Sequence, residues 1–140
     1  MSQEEIIGKF RWALDEAWYK GNVDALDEVY AAECVNYQPP FPILNGLEAI
    51  KQAIASIRPA YSDIQITYHE WIAEGNAIAF RATMNMRHTG QSPTFPIPPT
   101  GKELTLQTCG VFHVKDGKVI EEWDYSDYLG IMQQLGIVPS

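Results

Sequence analysis

Residues 63–88, DIQITYHEWIAEGNAIAFRATMNMRH, change the period of the chain and so decide its fold. Ile64, Ile66 and Tyr68 alternate with Gln65, Thr67 and His69, the two-residue rhythm of a strand that buries one face. Glu74-Gly75-Asn76 supply a turn, and AIAFRATMNMRH, residues 77–88, returns as a second strand. Downstream, the proline-rich TGQSPTFPIPPTG interrupts the pattern before a third strand over 103–114. Lys115-Asp116-Gly117-Lys118 is a hairpin turn, residues 119–126 form a fourth strand, and YLGIMQQLGIVP reads as a short amphipathic helix. Upstream the period is helical. Ile6, Phe10, Ala13, Leu14, Ala17 and Trp18 recur at three- and four-residue spacing within 4–20, and Gly21 stops that helix. Asn22 is placed to cap a second short helix reaching Tyr30, and CVNY, residues 34–37, reads as a short strand. QPPFPILNG is loop, because its prolines remove donors and fix φ. A further helix starts at Leu47, carries the stripe Leu47, Ile50, Ile54 and Ile57, and ends at Pro59. Helices first and a meander of long strands afterwards predict an α+β fold: one curved sheet with helices on one face and a cone-shaped cavity between the layers.

The chain has 140 residues, which suits a single domain spanning 1–140 with a real core. Its net charge of −8, without any cluster of Lys or Arg, argues against a nucleic-acid partner and against anionic membranes. No basic-then-apolar start and no apolar run near the roughly 18 residues of a membrane span is present, so a cytoplasmic protein is expected. Cys34 and Cys109 are too few for a disulfide framework or a thiolate metal site and read as buried free thiols.

Candidate chemistry is sparse. His69, His88 and His113 are scattered one to a strand, without the His-x-His or His-x-x-x-His spacing that sets two ligands on one metal, so no metal is expected. His113 reads as a surface residue, whereas His88 stands at the mouth of the proline-rich loop. No glycine-rich nucleotide loop and no nucleophile elbow occurs, so no cofactor is expected. What remains are the acids of IEEWDYSDYLG, residues 120–130. Glu121 and Glu122, adjacent on a strand, read as mostly solvated, and Asp127 reads as a helix N-cap. Asp124 lies mid-strand between Trp123 and Tyr125, where aspartate conflicts with β propensity, and such conflicts mark candidate sites. A two-residue Asp116-Gly117 loop would set Asp124 opposite Cys109, and a three-residue loop with a bulged glycine would set it opposite Gly110. In the second case a hole would open beside the carboxylate. Both faces of the last strands carry apolar residues, with Phe112, Val114, Val119 and Trp123 against Val111 and Ile120, so a homodimer through the outer sheet face is expected. Trp12, Trp18, Tyr37, Phe41, Trp71 and Phe80 are the aromatics expected to shape the cavity.

KGNVDALDEVYAAECVNY, RHTG, PPTGK, VFHVKDGKVIEEWD and the closing LGIMQQLG, in that order and spacing, resemble the SnoaL-like polyketide cyclases, or ester cyclases, of the nuclear transport factor 2-like superfamily. The resemblance implies a cystatin-like cone, with a mixed or antiparallel sheet and helices on its concave face. It also implies an intramolecular aldol condensation on a small apolar carbonyl-bearing substrate, run without metal, nucleotide or covalent intermediate. The family's acid/base aspartate falls on Asp124, in support of the bulged-glycine register, and its pocket asparagine falls on Asn36. The anthracycline cyclases carry Gln and His on the neighbouring strand where this chain has Thr108 and Gly110. Thr108 keeps a hydroxyl, Gly110 offers nothing, and His88 in RHTG is the candidate for the missing polar group. A second implication stands beside the enzyme: the superfamily also holds non-catalytic modules whose cone binds a small ligand or serves dimerisation.

Overall fold

The computed structural model describes residues 2–140. Helix α1 runs Gln3–Asp15 and opens on a capping box, in which the Ser2 hydroxyl accepts from the Glu5 backbone N–H and the Glu5 carboxylate reaches back to Ser2. The helical stretch expected over 4–20 is not uniform: Glu16–Lys20 widens to a π turn and stops at Gly21, whose φ of 76° suits a residue without Cβ. Arg58 closes this end, its guanidinium donating to the Trp18 and Tyr19 carbonyls at 2.8 Å each, two acceptors the helix leaves unpaired. Val23–Glu28 is a 3₁₀ segment rather than a capped α-helix, and Asn22 makes no side-chain cap bond. Tyr30 is therefore not a helix end but the first residue of β1, Tyr30–Tyr37. Within the 38–46 loop, Leu44–Asn45 form a short β2 that pairs with β1. Helix α2 is Leu47–Ile57, followed by β3 (Tyr61–Glu74), β4 (Ala77–His88), β5 (Glu103–Lys115), β6 (Lys118–Ser126) and α3 (Tyr128–Leu135). Asp127 caps α3, its Oδ1 accepting from the Gly130 N–H at 2.8 Å.

The six strands make one mixed sheet in the order β2-β1-β6-β5-β4-β3. The meander β3-β4-β5-β6 is antiparallel throughout, and β1 then joins the free edge of β6 in parallel. This is the α+β fold that the change of period predicts. Even-numbered residues of β5 and β4 (Phe112, Leu104, Phe80, Ala82) point to the buried face. There Phe10 of α1 stacks on Phe112 with centroids 4.4 Å apart and meets Trp71 edge-on. This cluster includes Ile50 and Ile54 of α2, while a second, made of Met86, Leu104, Ile131 and Leu135, sits under α3. Burying the Phe10 ring is worth roughly 2–3 kcal/mol, and cutting it to alanine costs about 3–5 kcal/mol because a cavity remains.

The β5–β6 hairpin follows neither of the two simple loops. Asp116 and Gly117, at φ 52° and 76°, form a two-residue turn with Lys115 opposite Lys118 and Val114 opposite Val119. Ile120 is then an extra residue: His113 faces Glu121, not Ile120, and from that bulge onward the register is Gly110 opposite Asp124. Val119 is fully buried, so an unbulged strand would turn 121, 123 and 125 inward. The bulge reverses this, so Glu122, Asp124 and Ser126 face the cavity. Trp123 goes to the outer face and stacks on Tyr37 at 4.0 Å, rather than lying with Phe112 and Val119.

Candidate active site

Between the two apolar clusters lies a cavity of about 400 Å³. Phe10, Leu14 and Trp18 come to it from the first helical segment, Phe80, Ala82 and Met84 from β4, Tyr68 from β3, and Phe95 from the proline-rich loop. Phe41 also borders it, whereas Trp12 is half exposed and neither Tyr37 nor Trp71 reaches the wall. Among the described residues no Lys, Arg or His borders the space; the two carboxyl groups on its wall belong to Glu122 and Asp124.

Asn36 of β1 donates from Nδ2 to Asp124 Oδ2 at 2.9 Å and is itself buried. The inward parity of β1 (Tyr30, Cys34, Asn36) delivers a second polar group, and Tyr30 Oη donates to Glu122 Oε1. Glu122 is 6% exposed, so it is not the solvated residue that its charge suggests. Strand alternation could have found it: whatever face Asp124 takes, the residue two before it takes as well. Glu121 goes the other way and accepts from the Trp123 indole N–H at 2.8 Å. Gly110 makes room for the arrangement. A Cβ there would run into Asp124 Oδ1 and stand 2.8 and 2.9 Å from carbons of the Phe80 ring, so the carboxylate occupies the space of the missing side chain.

Burial pushes the Asp124 carboxyl above its ordinary value, while hydrogen bonds from Glu122 and Asn36 pull it back. Burial pushes Glu122 higher still, and the charge of Asp124 and the bond to it act in the same direction; only the Tyr30 hydroxyl opposes them. The environments therefore separate two like groups, Asp124 being the easier to ionise. Burial also keeps the phenols of Tyr30 and Tyr68 protonated.

The remaining sequence candidates lie differently. Thr108 borders the cavity, but its hydroxyl is engaged, accepting from Ser126 at 2.8 Å and donating to the Tyr125 carbonyl at 3.4 Å. His88 is fully buried yet is not part of the cavity wall. Its Nδ1 accepts from the Thr100 N–H at 3.1 Å, so it ties the ends of the proline-rich loop together. It does not substitute for the imidazole that Gly110 lacks. Cys34 is buried, but Cys109, next to inward-facing Gly110, points outward and is exposed. Among the described residues no three His, Cys, Asp or Glu gather as a metal ligand set, and no helix is long and apolar enough to cross a membrane.

The model of the SnoaL-like polyketide cyclase family matches residues 9–135. The chain belongs to that family. Among curated SnoaL-like relatives, aklanonic acid methyl ester cyclase DnrD of Streptomyces peucetius is 27% identical over 124 residues, covering 86% of this chain and 84% of that one. The corresponding cyclase DauD of Streptomyces sp. strain C5 is 28% identical over 127 residues, covering 86% and 76%. TsrD from Streptomyces laurentii superposes with a TM-score of 0.85 over 99% of this chain and all of that one, at 23% identity, so the SnoaL-like cone is the fold they share.

Proposed function

We propose that the protein closes a ring in a neutral, carbonyl-bearing polyketide ester by intramolecular aldol condensation, with Asp124 as general acid and base. The observation that carries this reading is the Asp124 carboxylate itself: set on the wall of a largely apolar cavity, raised in basicity by burial, and aimed by Asn36. In the reaction the ionised carboxylate takes a proton from the carbon between two carbonyls, and the electron pair passes into the substrate's conjugated enolate. The enolate carbon attacks a ketone carbon elsewhere in the same molecule, the C–C bond forms, and the alkoxide oxygen recovers the proton from Asp124. Atoms are conserved and no redox partner is consumed. Apolar walls fold the chain so that the reacting carbons meet, which supplies most of the acceleration by orientation. Kinship with cyclases named for a methyl ester supports a neutral substrate, as does the absence of any basic residue on the wall. The exposed thiol of Cys109 suits a reducing compartment such as the cytoplasm.

The test is Asp124→Asn assayed with aklanonic acid methyl ester, which leaves the shape unchanged and removes the base. Turnover by the parent and a loss on the order of 10²–10⁴-fold in the variant are expected. Retention of the ester without turnover by the parent protein would instead identify a binding module. We also infer a homodimer through the outer sheet face, where Ile72, Ala79, Val111, Trp123 and Tyr37 form one row across β3, β4, β5, β6 and β1, with exposed Tyr125 two residues along β6.

A further inference from the structure

Glu122 is a buried acid that the aldol mechanism leaves unused. It stands on the same face of β6 as Asp124, two residues away, and neither carboxyl has a cation nearby. If both were ionised, two like charges would share a buried site with apolar walls, and among the described residues only Asn36 would donate to Asp124, to Oδ2 and not to Oδ1. The groups facing the pair bring no positive charge to it. Tyr30 and Cys34 on β1 and Tyr68 on β3 face Glu122, and Tyr128 at the start of α3 faces Asp124. All are neutral, the Cys34 thiol being pushed up to about 11 by burial. Tyr30 and Asn36 act as donors, and each is already committed to one oxygen of the pair.

We propose that Glu122 keeps its proton while Asp124 is ionised, so that the two carboxyls work as one unit holding a single proton and a single negative charge. The Tyr30 hydroxyl donates to Glu122 and the Asn36 amide to Asp124, and a proton held on the Glu122 carboxyl would complete the chain toward the otherwise unpartnered Asp124 Oδ1. Glu122 is thus a positioning residue. Its proton fixes the Asp124 carboxylate over Gly110 and keeps that base ionised in surroundings that would otherwise neutralise it. The pair titrates as a unit, with two apparent values that belong to both residues. This inference rests on the proton-transfer reading of the cavity only for its effect on rate; the shared proton itself stands apart from turnover.

The experiment follows the Glu122 side-chain carboxyl carbon by NMR across pH in the full-length protein, alone and with Asp124→Asn. Expected is a Glu122 that is still protonated at neutral pH, after the surface glutamates have lost their protons, and whose midpoint falls by at least one pH unit in the variant. A Glu122 that titrates with the surface glutamates overturns the proposal. In the active protein, Glu122→Gln keeps a donor toward Asp124 and an acceptor for Tyr30. It should hold kcat/KM within about tenfold on the plateau while removing the alkaline limb of the pH profile. An unchanged two-limbed profile also overturns the proposal. Should no ester be turned over while the titration behaves as described, the shared proton stands and the base role of Asp124 falls.

Discussion

Gly110→Ala adds one methyl group at the point where the carboxylate leans over the sheet. The new carbon would lie 2.8 and 2.9 Å from two Phe80 ring carbons and closer still to Asp124 Oδ1, so at least one neighbour must move. Phe80 is backed by Phe10, Tyr68 and Trp71, all with centroids within 6 Å, and has little freedom. The carboxylate is the softer side of the contact and swings away from Gly110, loosening its bond to Asn36. Overpacking of this kind costs about 1–3 kcal/mol. Alanine recovers about 0.5–1 kcal/mol in a strand because glycine loses more entropy on folding. The net loss of up to about 2.5 kcal/mol lowers Tm by up to about 10 °C in a domain of this size. The effect on rate is larger, since a displacement of about 1 Å at the base is enough to lose roughly 10²-fold. Thermal unfolding and kcat/KM measured together make the test, with Asp124→Ala closing a double-mutant cycle in stability. Removing the carboxylate should rescue part of the Tm lost through Gly110→Ala. Gly110→His, which puts a larger side chain into the same space, should be worse than alanine and not better. Full activity in Gly110→Ala would refute the idea that the glycine exists to seat Asp124.

Burial raises both acids in the folded state, so folding is aided by their protons. That contribution is complete below the ordinary carboxylate value of about 4 and is lost as pH rises through the raised folded values. Glu122→Gln lacks this term, and its Tm should gain on the parent as pH rises; a gap that stays constant with pH would remove the basis for the argument. A substrate analogue bearing a free carboxylate in place of the ester should bind at least tenfold more weakly at neutral pH, because the wall offers no cation and already carries negative charge. Equal Kd values by calorimetry would show that the ester group lies outside the cavity. Val111→Asp, on the exposed outer face, should turn a dimer into a monomer in light scattering without altering the helical circular dichroism. A parent protein that is already monomeric would end that line of reasoning.

Strand positions and the long amphipathic helix were legible because burial imposes a period that residues such as Ile64, Ile66 and Tyr68 display openly. Asp124 was legible as a local misfit. Its environment was not, because the face it takes depends on one bulged residue, and Ile120 resembles any other strand former. Glu122 was hidden by a different cause. Glutamates are seldom buried, and that prior outweighed the plain geometric fact that Glu122 and Asp124 share a face. Cys109 follows the same parity: its residue type suggests burial, but once Gly110 turns inward its neighbour must turn out. The tie between His88 and Thr100 spans a loop with no periodic signal, so its structural role emerges only from folded coordinates.

The bulge at Ile120 makes the chemistry of this cup a matter of strand pairing. Pair Ile120 with His113 at unchanged length, and the same letters would present Glu121, Trp123 and Tyr125 to the ligand and both acids to water. An acidic reaction chamber and a plain aromatic holding site are thus two pairings of one sequence, with no residue of the site itself replaced. Among relatives of this fold, the register of the strand after the hairpin turn is then a more direct guide to reactivity than asking whether the aspartate is present.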